Sequence, residues 1–307
     1  MSVADARWAA VVVNYRSGAL LLEGVEALLA DDSAGAVDVV VVDNGSDDGS
    51  IDALRARRPE VTVIRPGANL GYARAANLGI AATRAPIVAV FNPDTRLHAG
   101  SAARVLDAFA ANEHLAIVGP KITNPDGTIY PSARRALGAA AAVGHAILGG
   151  IRPENRYTAA YRQTDQDPAV ARDVDWVSGA ALWFRREALD RVGGWDERYF
   201  LFLEDVDVAA AVRAAGWTVR YEPGAEVVHV VGTSRAEAPT KSILAHHRSA
   251  YQYAEKWWTG PRRAALPLVG GFLAVRAGLI VGASTIGRRG RARAGGASRN
   301  SGADRVA

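Results

Sequence analysis

Five short segments of this chain carry polar side chains of the kinds that do chemistry. Asn14-Tyr15, Asp43-Asn44-Gly45-Ser46 and Asn92-Pro93-Asp94 each close an apolar run. In a parallel sheet, ligands sit beyond the carboxyl ends of the strands. Three runs that all end in Asp or Asn therefore make one acidic, amide-rich rim. Turn chemistry explains any one of them, because Asn, Asp, Gly and Ser dominate loops; three at corresponding ends favour a site. On that rim Asp43 suits a ribose or base donor, and Asp94 suits a metal. The fourth segment, Phe200-Leu201-Phe202-Leu203-Glu204-Asp205-Val206-Asp207, sets three carboxylates behind an aromatic-aliphatic run. A helix N-terminus favours carboxylates, and one of them could act as a general base. Capping of an exposed helix is the plain alternative, adequate for one or two of them. The fifth is His229, in an apolar run ahead of Gly232-Thr233-Ser234. A lone His there is more often a core residue; otherwise it is a metal ligand beside Asp94.

Two further stretches bear on ligand approach. In Asn69-Leu70-Gly71-Tyr72-Ala73-Arg74-Ala75-Ala76-Asn77, Gly71 and the small alanines admit a ligand or a neighbouring backbone at close range. The N–H groups of the helix it opens favour anions; taken alone, tight helix packing suffices as the reason. Trp176-Val177-Ser178-Gly179-Ala180 is either core or a loop that touches an acceptor. Other chemistries are missing. No Gly-x-Gly-x-x-Gly follows the first run, and there is no Gly-Lys-Ser/Thr, Gly-x-Ser-x-Gly or His-Glu-x-x-His. With no cysteine there is no thiolate catalysis, thiolate zinc site or disulfide.

The elements that must position these residues alternate through the first half. Ala9–Val13, Val37–Val42, Val61–Ile64 and Ile87–Phe91 read as strands. Gly18 to Leu29, Ser50 to Arg58, Gly71–Ala82 and Ala99 to Ala111 read as helices. Strands alternating with helices predict βαβ units on a parallel sheet, and near-continuous valine runs predict strands buried on both faces. Beyond residue 120, Ala180–Phe184, Thr218–Tyr221 and Glu226–Val231 read as strands. Glu204–Ala215 reads as a helix, and Asn155 to Arg172 as polar loop. Lys241–Trp258 is a helix with a stripe at Ile243, His247, Ala250, Ala254 and Trp257.

The 307 residues suffice for a large α/β unit or two domains. Charge is unevenly distributed. From Thr259 onward there are nine arginines and one aspartate, whereas residues 1–258 hold 27 basic and 31 acidic side chains. The basic character belongs to the tail, which disfavours a body that wraps nucleic acid. Trp8 to Val13 is too short for a signal-peptide core. Ala264 to Ile286 is the best apolar stretch, but it carries Pro267 and Arg276. Interfacial membrane association suits it better than spanning, and a helix packed on the body is an equal alternative. Gly287 to Ala307 reads as a disordered basic tail.

Taken together, Val12-Val13-Asn14-Tyr15, Val42-Asp43-Asn44-Gly45-Ser46, Asn69-Leu70-Gly71-Tyr72-Ala73, Asn92-Pro93-Asp94, Gly179-Ala180 and Glu204-Asp205-Val206-Asp207 resemble the family-2 glycosyltransferases. The order and spacing fit over roughly Trp8 to Trp258, and within the family the likeness is to the rhamnosyltransferase branch. The resemblance implies a GT-A fold, with a mostly parallel sheet flanked by helices and a C-terminal helical extension. It implies a nucleotide-sugar-binding half over residues 1–120 and an acceptor-binding and catalytic half over 121–240. A helical, membrane-associated region over 241–286 and a basic tail over 287–307 would follow. Its implied roles are these: Asp205 as base with Glu204 beside it; Asn14, Tyr15, Asp43, Asn44, Asn69, Gly71, Asn77 and Asn92 on the donor nucleotide. Trp176, Ser178, Gly179 and Phe202 would meet the acceptor, and Asp94 with His229 would hold a divalent cation, Mn2+ or Mg2+. The family's Asp-x-Asp reads Asn92-Pro93-Asp94 here, so one carboxylate is offered where two are usual. The implied reaction is an inverting transfer of L-rhamnose from dTDP-rhamnose to a polyprenyl-diphospho-GlcNAc acceptor in arabinogalactan cell-wall synthesis. The enzyme would sit peripherally on the cytoplasmic face of the plasma membrane. UDP-galactofuranose or UDP-glucose as donor, a non-catalytic nucleotide-sugar-binding partner, and a homodimer stay open.

Overall fold

The computed structural model describes residues 6–136, 144, 148, 152, 154–230 and 239–299, with side chains described as far as 282. Two compact units divide the chain, Met1–Ala236 and Glu237–Ala307. In the first, β1 (Trp8–Asn14), β2 (Val37–Asp43), β3 (Thr62–Ile64) and β4 (Ile87–Phe91) run parallel in the order β3-β2-β1-β4. Helices α1 (Leu20–Ala30), α2 (Ser50–Arg57) and α3 (Tyr72–Ala81) connect them. The sheet continues as β11-β6-β12-β5, comprising β5 (Thr95–Leu97), β6 (Leu115–Thr123), β11 (Ala181–Arg185) and β12 (Thr218–His229). It is mixed: β11 lies antiparallel to both β4 and β6, whereas β6 and β12 are parallel. Short strands β7 (Ile129–Tyr130) and β9 (Arg172–Asp173) flank it, and β8 (Ala133–Arg134) pairs separately with β10 (Trp176–Val177).

The valine runs alternate between two cores. Val11, Val13, Val40, Val42, Val88 and Val90 face one side, while Trp8, Ala10, Val12, Val39, Val41 and Phe91 face the other. Successive strand residues point to opposite faces, so burial of both faces needs the unbroken apolar runs seen in the sequence. On the second face Trp183 packs edge-on against Phe91 at 4.9 Å. On the first, α3 lies so close to β1 that a Cβ on Gly79 would fall 2.2 Å from Val11 Cγ1. Small residues in α3 are thus a packing requirement.

Several expectations change. The expected boundary at 120/121 falls inside β6, so the two proposed halves share one sheet. The two strands read at 218–221 and 226–231 are one strand, β12, with a register shift between Glu222 and Glu226 where Pro223-Gly224 interrupts the pattern. Residues 231–236, including Gly232-Thr233-Ser234, lie outside the described residues. The supposed loop at 155–172 contains α5 (Arg156–Arg162), started by Asn155, whose side chain accepts from the N–H groups of Tyr157 and Thr158. The remaining helices of this unit are α4 (Ser101–Ala111), α6 (Arg186–Arg191) and α7 (Glu204–Ala214).

The second unit holds α8 (Pro239–Trp257), a short 3-10 turn (Gly260–Ala265) and α9 (Leu266–Arg299). The helix does not end at 286: it runs to Arg299, consistent with the high helix propensity of Ala and Arg, and residues 300–307 lie outside the described residues. Arg276 Nη1 reaches His247 Nε2 at 2.8 Å, and His247 Nδ1 bonds Ile243 O at 2.7 Å. On α9, Leu268 and Leu279 are 78% and 70% exposed, with Val275 and Phe272 also exposed. Gly260–Gly282 is long and apolar enough to cross a membrane by length and composition, with a mean hydropathy of 1.9.

Candidate functional site

The parallel register sets Asn14 beside Asp43 at the carboxyl ends of β1 and β2. Both are fully buried. Asn14 Nδ2 lies 3.1 Å from Asp43 Oδ1, from Ser46 Oγ and from Ser50 Oγ, and Asn14 Oδ1 accepts from Ser17. Its amide is thereby committed to the loop after β2. Asp43 Oδ1 also accepts from Ser46 N at 3.1 Å. Its Oδ2 faces Arg65 Nε at 3.2 Å without hydrogen-bond alignment. A buried carboxylate oxygen lacking an aligned donor is costly, and this one is suited to a donor brought by a ligand. Tyr15 follows, half-buried, with the Arg16 guanidinium 5.6 Å from its ring.

Asn44 joins this corner to the next loop. Its Nδ2 donates to Gly71 O at 3.2 Å and its Oδ1 accepts from Leu70 N at 3.2 Å. Asn69, exposed, caps the turn by accepting from Gly71 N at 3.0 Å. Gly71 has φ +85° and ψ 169°, and an added Cβ would stand 2.7 Å from Phe200 O. The next amide, Tyr72 N, donates to that same oxygen at 2.7 Å. The donor-side loop and the acidic segment are thus joined backbone to backbone. Asn77 lies deeper in α3. It bonds Trp195 at both its O and its N, at 2.9 and 3.0 Å, and so anchors the chain at Trp195.

Phe202 and Leu203 both have positive φ, 69° and 63°. Two consecutive non-glycine residues in this region mark a constrained turn of the kind found at functional sites. The turn delivers Glu204, Asp205 and Asp207 at the start of α7. Glu204 is buried, and Asp207 is buried and accepts from Tyr199 OH at 3.2 Å, which assigns Asp207 to the scaffold. Asp205 is half-buried. Its Oδ2 accepts from Gly179 N and its Oδ1 from Val206 N, both at 2.8 Å. Burial raises its pKa, opposed by those two N–H groups and by the positive charge of Arg134. Tyr72 OH donates to Gly179 O at 3.2 Å. Its phenol is held well above its ordinary value by burial, then by Glu204, Asp205 and Asp94. One phenol therefore feels all three carboxylates.

The third strand end closes the ring. Asn92 N donates to Ala180 O at 2.9 Å, tying the loop after β4 to the Ser178-Gly179 turn. His229, at the end of β12, pairs in register with Thr95. Its Nε2 lies 3.2 Å from Asp94 Oδ1 and 3.4 Å from Asn92 Nδ2. Asp94 and His229, far apart in sequence, thus meet with side chains only 14% and 13% exposed. Among the described residues no three His, Cys, Asp or Glu side chains gather to hold a metal unaided. One carboxylate with one imidazole fits a cation that completes its shell with ligand oxygens, and imidazole suits Mn2+ better than Mg2+.

On the acceptor side, Ser178 N donates to Ser132 O at 3.0 Å. Trp176 is buried rather than exposed: its ring packs 5.8 Å from Tyr161 and 5.9 Å from the Arg134 guanidinium. It cannot present a face to an acceptor as expected, because Arg134 and Tyr161 cover it. Arg134 and Tyr72 carry functional-site contacts that the sequence reading did not assign. Tyr72 adjoined a segment already singled out, whereas nothing in Ser132-Ala133-Arg134-Arg135 distinguishes the buried arginine from its exposed neighbour.

Comparison with known proteins identifies the family and the fold. A family model described as glycosyl transferase family 2 matches residues 9–193. The chain is 39% identical over 298 residues to an N-acetylglucosaminyl-diphospho-decaprenol L-rhamnosyltransferase of Mycobacterium tuberculosis, covering 92% of this chain and 95% of that one. Among solved structures, it superposes on the mannosyltransferase PcManGT from Pyrobaculum calidifontis, in complex with GDP-Man and Mn2+, with a TM-score of 0.57. That match is 19% identical over 95% of this chain and 79% of the other. GalNAc-T7, solved with UDP, GalNAc and Mn2+, matches 74% of this chain and 43% of its own at 14% identity, with a TM-score of 0.54. At such identities the likeness is one of fold, the GT-A arrangement of a mixed, largely parallel sheet flanked by helices.

Proposed function

The chain belongs to glycosyltransferase family 2, and from that membership we propose that it transfers L-rhamnose from dTDP-rhamnose to a polyprenyl-diphosphate-linked GlcNAc, with inversion. The near full-length 39% identity to the mycobacterial rhamnosyltransferase supports this choice of sugar and acceptor.

Asp205 is the base. Its carboxylate takes the proton of the acceptor hydroxyl as that oxygen bonds the anomeric carbon, and the bond from that carbon to the diphosphate breaks on the opposite side. The Gly179 and Val206 N–H groups fix the carboxylate in place. Partial burial makes it a stronger proton acceptor than a free aspartate. Glu204 positions the acceptor beside it. Asp43 receives the nucleotide through Oδ2, while Asn14, Asn44 and Asn69 hold the loops that shape its pocket and Gly71 lets them close on Phe200. Asp94 and His229 would hold a divalent cation, which when bound neutralises charge on the departing diphosphate. The exposed apolar face of α9 and the arginines near it hold the enzyme peripherally on the cytoplasmic face of the membrane, within reach of a lipid-linked acceptor.

The test is thermal stability of the full chain against a panel of nucleotide-sugars, with and without Mn2+ or Mg2+. A ligand at 100 times its Kd stabilises by about 2.7 kcal/mol. A metal-dependent shift with dTDP-rhamnose, followed by transfer to a synthetic polyprenyl-diphospho-GlcNAc, is expected. A shift with UDP-sugars alone would remove rhamnose from the proposal.

A further inference from the structure

Arg134 is an unusual residue in this fold. It is 5% exposed, and buried arginines are rare unless paired. Among the described residues no carboxylate lies in ion-pair contact with it. Instead three aromatic rings surround the guanidinium, those of Tyr130 at 5.3 Å, Tyr161 at 5.4 Å and Trp176 at 5.9 Å. Its Nη2 donates to Tyr130 OH at 3.2 Å. Cation–π contacts are strongest where the cation is desolvated, so this cage holds a full positive charge in a fixed place without neutralising it.

The location of that charge is set by pairing. Arg134 and Trp176 are cross-strand partners in the β8–β10 ribbon. From Trp176 the chain passes through Ser178, clamped to Ser132, to Gly179, whose N–H holds Asp205. The ribbon therefore connects the caged cation rigidly to the turn that grips the base. We propose that Arg134 is a positioning residue for the transfer, a caged cation behind the Ser178-Gly179 turn that keeps Asp205 in its proton-accepting form. The inference rests on Asp205 being the base.

Other charges around Asp205 act the opposite way or are already paired. Glu204 on α7 and Asp94 after β4 are carboxylates that share the Tyr72 environment from α3. Tyr161 on α5, its phenol pushed up to about 12 chiefly by burial, stays neutral. On β12, Tyr221 gives its hydroxyl to Pro168 O. At the far end of α7, Arg213 is paired with Asp175. Among the described residues, Arg134 thus adds a positive charge to the backbone N–H groups that oppose the burial of Asp205.

The test is the pH profile of kcat/KM for wild type, Arg134→Met, Arg134→Gln and Arg134→Lys. Melting temperature and nucleotide affinity report on folding, and Gln serves where the apolar variant does not fold. A nearby positive charge favours the ionised carboxylate, so its removal leaves the burial of Asp205 less opposed. The acidic limb is therefore expected to move to higher pH in Met and Gln, with kcat recovering as pH rises, while Lys keeps the limb near that of wild type. A limb unmoved in Met and Gln, or moved equally in Lys, overturns the inference. Asp205→Asn separates the two readings. If it keeps turnover, the base assignment has failed. If it is inactive while Met and Gln titrate as wild type, only the role of Arg134 has failed.

Discussion

Gly71→Ala probes the junction on which the site depends. With φ +85° and ψ 169°, Gly71 occupies a region essentially reserved for glycine, and holding another residue there costs about 1–3 kcal/mol. Space is short as well. The new Cβ would stand 2.7 Å from Phe200 O, 2.8 Å from Phe200 Cδ2 and 2.9 Å from Phe200 Cα. Two of those atoms are backbone, so no side-chain rotation relieves the contact, and overpacking adds about 1–3 kcal/mol. A total of roughly 2–6 kcal/mol should lower Tm by at least about 4 °C, at about 2–4 °C per kcal/mol for a domain of this size. The functional effect should exceed the loss of folded protein. Relief of the contact pushes Phe200 away and breaks the 2.7 Å bond from Tyr72 N, upstream of the turn that delivers Asp205. A displacement of about 1 Å at a reacting group costs roughly 100-fold in rate. The assay pairs differential scanning calorimetry with kcat measured well below the new Tm. A variant with Tm within about 2 °C of wild type and kcat within twofold would refute the reasoning.

Asp205→Asn should lower kcat by about 10²–10⁴-fold while sparing donor affinity; turnover within tenfold of wild type removes the base. The same variant has a stability signature. Burial raises the Asp205 pKa from 3.8 in the folded state, so its cost is full above the raised value and is relieved as pH falls toward 3.8. Wild type should therefore gain stability relative to Asp205→Asn on acidification through that window, and calorimetry at several pH values checks the sign. Asp43→Ala should weaken dTDP binding at least tenfold, by calorimetric titration, because it removes the buried oxygen proposed to receive the nucleotide; unchanged affinity takes Asp43 out of the site. His229→Ala should raise the Mn2+ concentration needed for half-maximal activity with little effect on metal-free dTDP binding, and an unaltered Mn2+ requirement would leave His229 as a scaffold residue. Leu268→Ser with Leu279→Ser should leave Tm nearly unchanged, because both side chains are mostly exposed. It should reduce partition onto anionic vesicles at least tenfold, since each buried leucine contributes about 1.5–3 kcal/mol; sedimentation like wild type would exclude this face as the anchor.

Much of the parallel half of the sheet, with its polar strand ends, could be read from sequence because its signals are local. Val39–Val42 is apolar up to the polar end at Asp43 because this part of the strand is buried on both faces, and the rim residues follow at once. The elements after β5 were harder for physical reasons. β6 hides behind Gly119-Pro120-Lys121, which looks like a break. Gly119 is there because Val177 packs against it, leaving 2.5 Å for any Cβ. β12 reads as two strands because its bulge carries Pro223-Gly224. α5 lies in a polar stretch whose one clear helix signal is the Asn155 cap. Arg134 left no trace, since a cage drawn from Tyr130, Tyr161 and Trp176 has no short-range spacing.

The amides and carboxylates of the rim divide their work, which bears on how one missing ligand can be tolerated. Asn14, Asn44 and Asn77 have their side chains committed to neighbouring loops. Asp43 keeps one buried oxygen without an aligned donor, Asp94 faces His229, and Asp205 is held by backbone N–H groups. An amide offers both a donor and an acceptor, so it can bridge two loops at once; a carboxylate accepts only, so it serves where a ligand or cation brings the positive end. At Asn92 an amide stands where the family's pattern has its first carboxylate. Its backbone is bonded to Ala180 and its side chain lies beside His229, on the ring nitrogen that also faces Asp94. On the proposed reading, the ligand missing at residue 92 would be supplied by the His229 imidazole, brought from β12 to within reach of Asp94. A site built this way should prefer a cation that accepts nitrogen over one that demands oxygen, and should bind it appreciably only when a diphosphate completes the shell.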